Sequence, residues 1–203
     1  MKEIPILFSG PMVKAILDGR KTQTRRILKA NPSWRPDPFA KDPPGIVTFN
    51  SLDASGAETK IKLRWQPGDH LWVKETWMHQ DGWYKDPKPN TYVEGAGYTW
   101  VDYRADTTYA HELELSELGH VWRPSIYMPQ WASRITLKVE SVRAQKLHDI
   151  TEADAIAEGY PFVFTEGISN PLAWYLDLWE EINGEGSWAL NPWVSKTTFE
   201  VIQ

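Results

Sequence analysis

Residues 19–26, Gly19-Arg20-Lys21-Thr22-Gln23-Thr24-Arg25-Arg26, place four cations and two hydroxyls within seven residues. Two chemistries suit such a segment. Arg20, Lys21, Arg25 and Arg26 can hold phosphate, the arginines through paired N–H donors. Alternatively, a lysine of lowered pKa takes a proton from a threonine hydroxyl and makes it a nucleophile. If the segment is extended, period two puts Thr22, Thr24 and Arg26 on one face, with Lys21 reaching the same pocket from the corner. The competing expectation is a solvated basic loop, the ordinary fate of a charge run.

Glu75 is the second candidate. It lies in His70-Leu71-Trp72-Val73-Lys74-Glu75-Thr76-Trp77, where Trp72 and Trp77 can desolvate it. A carboxylate there either pairs with a cation, Arg26 or Lys21, or has a raised pKa. A structural salt bridge is the bland alternative. Trp72 and Trp77, with Trp83, Trp122 and Trp131, are available to stack bases. Trp174 and Trp179 fit a helix core face instead, and roughly two-thirds or more of the twelve tryptophans are expected to serve burial. Arg134, beside Trp131, suits a phosphate or carboxylate site, or a surface stack on that ring.

These residues need elements to position them. A strand is expected over Ile4–Phe8. Ser9-Gly10-Pro11 then starts a helix that Gly19 ends. The basic segment enters the next strand. Residues 31–62, rich in proline and glycine, form a long excursion with one hairpin. Gln66-Pro67-Gly68-Asp69 is a turn into a strand over His70–Trp77. Residues 78–130 form a second excursion with short strands such as Thr99–Arg104. Arg134–Lys146 alternates as a strand. Thr151 caps a helix stopped by Gly159, Asn170-Pro171 starts another that Asn183-Gly184 ends, and Trp193–Ile202 closes the chain as a strand. This order, without regular βαβ alternation, predicts a small mixed sheet or partly closed barrel with helices at its ends.

Composition narrows the classes. The chain has 203 residues, no cysteine and a formal charge of -5. Its length fits one domain, 1–203, and a core that needs no staples. Absent cysteine removes disulfides, thiolate metal sites and thiol nucleophiles. No H-E-x-x-H, P-loop, G-x-G-x-x-G or G-x-S-x-G is present, so neither a metal nor a cofactor is expected. No apolar run suits a signal peptide or a membrane span, which makes a cytoplasmic location without a membrane partner the expectation. The charge is uneven: +6 over residues 1–35, -2 over 36–146 and -9 over 147–203. A basic patch can contact phosphates despite the acidic total.

Gly19, Lys21, Thr24 and Arg26 after a helix resemble the G-x-K-x-x-T-x-R motif of ASCH domains, in the PUA-like superfamily of small β-barrels. Pro67-Gly68-Asp69 with its following strand, and the late strand, helix and closing strand, agree with that likeness. With Ile6–Met12, Trp122–Ile126, Met128–Arg134 and Asn191–Val194, nearly the whole chain is similar to tailed-phage and prophage proteins classed as ASCH-like. The resemblance implies an α+β, PUA-like small mixed barrel with flanking helices and long insertions at about 31–62 and 78–130. It implies a cleft for RNA, another nucleic acid or a modified nucleotide. In small bacterial ASCH enzymes, lysine and threonine of the motif act with a glutamate on a later strand to hydrolyse the amide of acylated cytidine. Lys21 and Thr24 match two of these positions. An ungapped alignment puts Lys138 at the third, with Glu140 two residues on and Glu75 earlier as the alternatives. The expected roles are therefore catalytic for Lys21, Thr24, Glu75 and Glu140, and ligand-binding for Arg20, Thr22, Arg25, Arg26, Trp72, Trp77 and Arg134. The leading expectation is a binding domain, monomeric, with an amidohydrolase and a phage–host protein-interaction module as alternatives. The acidic end could serve a basic host partner.

Overall fold

A computed structural model describes residues 1–31, 33–38, 40–43, 45–52, 55–79, 92–93, 97–98, 101–108, 112, 115–117, 121–161 and 170–202. Trp83, and Thr99 of the expected strand 99–104, lie outside them. The architecture is mixed α+β. The chain divides into two compact units, each drawn from separate stretches of sequence. The first comprises residues 1–17, 70–137 and 201–203, and the second 18–69 and 138–200.

In the first unit, strand β1 (Glu3–Leu7) leads into helix α1 (Gly10–Leu17). Four strands assigned to the second unit follow in the chain and are described below: β2 (Gln23–Ile27), the pair β3 (Arg35–Pro36) and β4 (Ile46–Asn50), and then β5 (Glu58–Lys62). The first unit resumes with β6 (His70–Lys74), parallel to β1. Leu71 and Val73 of β6 are buried while its other side is half-buried, as alternation predicts. The strand expected over residues 70–77 is broken: β6 stops at Lys74, and β7 (Trp77–His79) starts after Glu75-Thr76. β8 (Tyr92–Val93) pairs with β9 (Gly97–Tyr98), and β10 (Val101–Tyr103) pairs antiparallel with β7. Trp77, Val101, Tyr103, Met128 and Ala132 form the core beside this pair, with Trp131 against it.

In the second unit, the expected excursion 31–62 is an antiparallel three-stranded sheet, β3-β4-β5, one strand more than a hairpin. The Gln66–Asp69 turn forms with Gly68 at φ 88°, a conformation that favours glycine. Asp69 Oδ2 accepts from the Gln66 N–H at 3.1 Å. Strand β11 (Thr136–Lys146) starts in the first unit and continues through the second, where β11, β12 (Trp193–Val201) and β2 are neighbours in that order.

Helix α2 (Glu152–Ala157) is short and depends on its cap. Thr151 Oγ1 accepts from the Asp154 N–H at 3.1 Å, and Asp154 reaches back to the Thr151 N–H. Helix α3 (Pro171–Asn183) is capped by Asn170, begins on proline and ends at Gly184 with φ 97°. Its Tyr175 and Trp179, four apart, are buried with Leu147, Ile150, Ala155 and Val194. No described helix is long and apolar enough to cross a membrane.

Candidate functional site

Two clusters of charged side chains stand out, one in each unit. The first is built by the basic segment. Strand parity decides its geometry. Lys21, Gln23 and Arg25 point one way, and Asp154 and Glu158, four residues apart on and just after α2, meet them. Lys21 Nζ donates to Glu158 Oε2 at 2.8 Å and to the Glu158 carbonyl at 2.9 Å. Arg25 Nη1 donates to Glu158 Oε1 at 2.8 Å, and its Nη2 lies 2.9 Å from Asp154 Oδ2. Gln23 Nε2 donates to the Asp154 carbonyl at 2.6 Å, and Lys196 is bonded to the Asp154 carboxylate. The backbone joins in: Thr22 N–H donates to the Ala157 carbonyl at 2.9 Å.

The centre of this cluster is buried. Lys21 is 1% exposed and Glu158 3%. Burial lowers the Lys21 ammonium below the usual lysine range, although Glu158 opposes the shift. Burial likewise lowers Arg26. For Asp154, burial alone would raise the carboxyl, but Lys196, Arg25, the Thr151 amide and Gln23 together hold it at about 2. Burial raises the Tyr175 hydroxyl, whose ring lies 5.9 Å from the Arg25 guanidinium.

The expected pocket of Lys21, Thr22, Thr24 and Arg26 is not what this geometry builds. Thr22, Thr24 and Arg26 alternate with Lys21, Gln23 and Arg25 along the segment, and the Lys21 ammonium is bonded to Glu158, with Arg26 close enough to act on both electrostatically. A desolvated ammonium needs a carboxylate, and Glu158 supplies one. Thr24 is 3% exposed and sits opposite Thr197 in the ladder, whose hydroxyl accepts from Trp65 Nε1 at 2.8 Å. Arg20 serves the same chain region: Nη1 donates to the Gly159 carbonyl at 2.8 Å, and Nη2 pairs with Asp18. Glu140 is exposed on the outer face of β11, near Lys138, which pairs with Glu200 at 2.8 Å. That face is a solvated strand surface, not a concave site.

The second cluster surrounds Glu75, at the break between β6 and β7. Its cation is neither Arg26 nor Lys21. Arg134 grips it bidentately, Nε to Oε1 at 2.9 Å and Nη2 to Oε2 at 3.0 Å. Arg134 also binds Asp106, and its guanidinium lies 4.0 Å from the centre of the Tyr103 ring. The Tyr103 hydroxyl donates to the Ala132 carbonyl at 2.8 Å. Glu75 is 1% exposed. Burial raises its carboxyl above the usual range, and the Arg134 hydrogen bonds oppose this without cancelling it. Burial pushes the Tyr103 hydroxyl up to about 12. Burial would lower Arg134, but its bonds to Glu75 and Asp106 raise it.

A cavity of about 510 Å³ opens beside this cluster, lined by Gly10, Pro11, Lys14, Glu75, Thr76, Arg104 and Ala105. Its lining mixes one buried carboxylate with two cations. Of the candidate stacking rings, Trp72 is half-buried with the Lys74 ammonium 5.4 Å from its ring, and Trp77 is core, edge-on to Trp131 at 5.8 Å. Sequence reasoning missed Asp106, Asp154 and Glu158, and missed Lys14 and Arg104 in the cavity wall. Only the Asp154/Glu158 spacing on a capped helix gave a signal, a complementary acidic pair for a basic strand. Among the described residues no group of His, Cys, Asp and Glu is arranged to hold a metal ion.

Comparison of the chain with models of protein families, with curated proteins and with solved structures found no match.

Proposed function

We propose that the protein is an ASCH-like, PUA-like barrel domain of phage type that binds a nucleotide, free or as a modified nucleotide of RNA, in the cavity beside Glu75. One observation carries the reading: Glu75, whose carboxylate Arg134 holds through both oxygens, is among the residues that line that cavity. An ionised carboxylate only accepts hydrogen bonds, and Arg134 occupies two of roughly four lone-pair sites. The rest suit the N–H edge of a base, as in glutamate acceptance from the cytosine amino group. The bulk charge of -5 does not favour non-specific binding, so a shaped site fits better than a basic surface.

Hydrolysis is the weaker alternative. It needs the Lys21 amine beside the Thr24 hydroxyl, and the Lys21–Glu158 ion pair occupies that amine. Incubation with N4-acetylcytidine decides it; cytidine release above a Thr24→Ala control would restore it. For binding, titration calorimetry with nucleosides, nucleotides and short RNA is the test. Glu75→Gln weakens affinity by about tenfold or more, because a charged acceptor becomes a neutral amide. Unchanged affinity in that variant overturns the site.

A further inference from the structure

We infer that the cavity selects a nucleoside monophosphate, with the base on Glu75 and the phosphate on Lys14 and Arg104, over an internal stretch of a nucleic-acid strand. This rests on the reading just proposed and goes further by naming the ligand's second pole.

The cavity wall is bipolar. One acidic residue, Glu75, and two cationic ones, Lys14 and Arg104, are among the residues of the same lining. A ligand that satisfies both carries N–H donors and an anion. Its volume, about 510 Å³, falls in the ~300–1,000 Å³ range of small-molecule sites. The two cations are available to an anion. Lys14 is exposed, and no ion pair forms on it among the described residues. Arg104 pairs with Glu112 at 2.8 Å, but both side chains are substantially exposed, at 56% and 36%. Such surface pairs are worth only about 0–1 kcal/mol, so a phosphate bound by two cations competes with Glu112. The opposite holds at Glu75, whose pairing with Arg134 is buried and bidentate. One pole is therefore preset and the other exchangeable. A terminal phosphate carries up to two charges, whereas each internal phosphodiester carries one and continues into a chain that the cavity must also admit.

The test is calorimetry on the full chain with four ligands: a nucleoside, its 5′-monophosphate, a short RNA without terminal phosphate, and the same RNA 5′-phosphorylated. The monophosphate is expected to bind about tenfold tighter than the nucleoside, an advantage that salt weakens. In Lys14→Ala/Arg104→Ala that advantage falls to about twofold or less. Both residues are exposed, so the variant folds; an unchanged melting temperature checks this. Equal binding of nucleoside and monophosphate overturns the inference and leaves the base site standing. Tighter binding of the unphosphorylated RNA than of the monophosphate also overturns it. Preference for the 5′-phosphorylated RNA over the free monophosphate places the same pocket on strand ends and overturns the free-nucleotide assignment. No binding of any of the four removes the parent reading as well.

Discussion

Lys21 and Glu75 are both buried ions matched to an opposite charge, yet they sit in different kinds of surroundings. Around Lys21, strand parity and a helical i, i+4 pair bring Lys21, Arg25 and Lys196 against Asp154 and Glu158, with side chains that are fully or mostly buried. Around Glu75, the second carboxylate on Arg134, Asp106, is half open, and Glu75 is among the residues that line a cavity. The difference separates motif from site. A charge run marks where ions are concentrated, whereas ligand chemistry also needs room next to a held group. The first cluster ties β2 to α2. The second fixes the carboxylate of a residue that lines a cavity.

The comparison breaks most visibly by removing Lys21. Lys21→Ala removes one of the two buried cations on Glu158, leaving Arg25 alone on that carboxylate, and is expected to cost about 3–5 kcal/mol in urea unfolding. Pairing Lys21→Met with Glu158→Gln is expected to cost less than the two single changes together, since neither member of the Lys21–Glu158 pair is then buried without the other. A loss below about 1 kcal/mol for Lys21→Ala would show that the cluster is wetter and freer than described. Arg134→Ala comes next, at about 1.5–3 kcal/mol, because its hydrogen bonds to charged groups reach partly exposed surroundings. It should also abolish nucleotide binding by releasing Glu75. Full binding by a folded Arg134→Ala protein would show that Glu75 needs no positioning.

Acid titration sharpens the contrast through opposite signs. Asp154 is held at about 2, below its ordinary 3.8, so it contributes stability above pH 3.8 that is lost as pH falls toward 2. Glu75 is raised, so its contribution is present below the ordinary carboxyl value and is lost as pH rises through the raised one. Asp154→Asn should flatten the loss of stability between about pH 4 and 2. Glu75→Gln should instead remove a destabilising slope above pH 4.5. Identical acid profiles in the two variants would contradict the distinction. The smallest effect is expected at Glu140. On its solvated strand face, Glu140→Ala should change stability by no more than about 0.5 kcal/mol and leave nucleotide affinity intact. A tenfold loss of affinity there would return the site to β11.

Much of the second unit was legible in the sequence because its signals are local. Thr151 and Asn170 cap where their side chains reach amides two or three residues on, and Gly184 ends α3 at positive φ. Val139 alternates with Lys138 and Glu140 as a half-buried strand requires. The break after Lys74 was not legible. Residues 70–77 keep a strand-like composition through Glu75, and nothing local says that the chain leaves the ladder there. The third strand before Ile46 was also missed, since Arg35-Pro36 is only two residues long and proline normally argues against a strand.

The sequence by itself determined which groups must be charged, which strand faces are apolar and where helices begin, because these depend on residues within a few positions of one another. It placed Lys21 and Glu75 among the residues that matter. Only the tertiary structure decided their partners. Lys21 meets Glu158 across 137 residues, and Glu75 meets Arg134 across 59. A buried ion takes whichever opposite charge the packing delivers, and that choice depends on distance in space, which spacing along the chain does not encode.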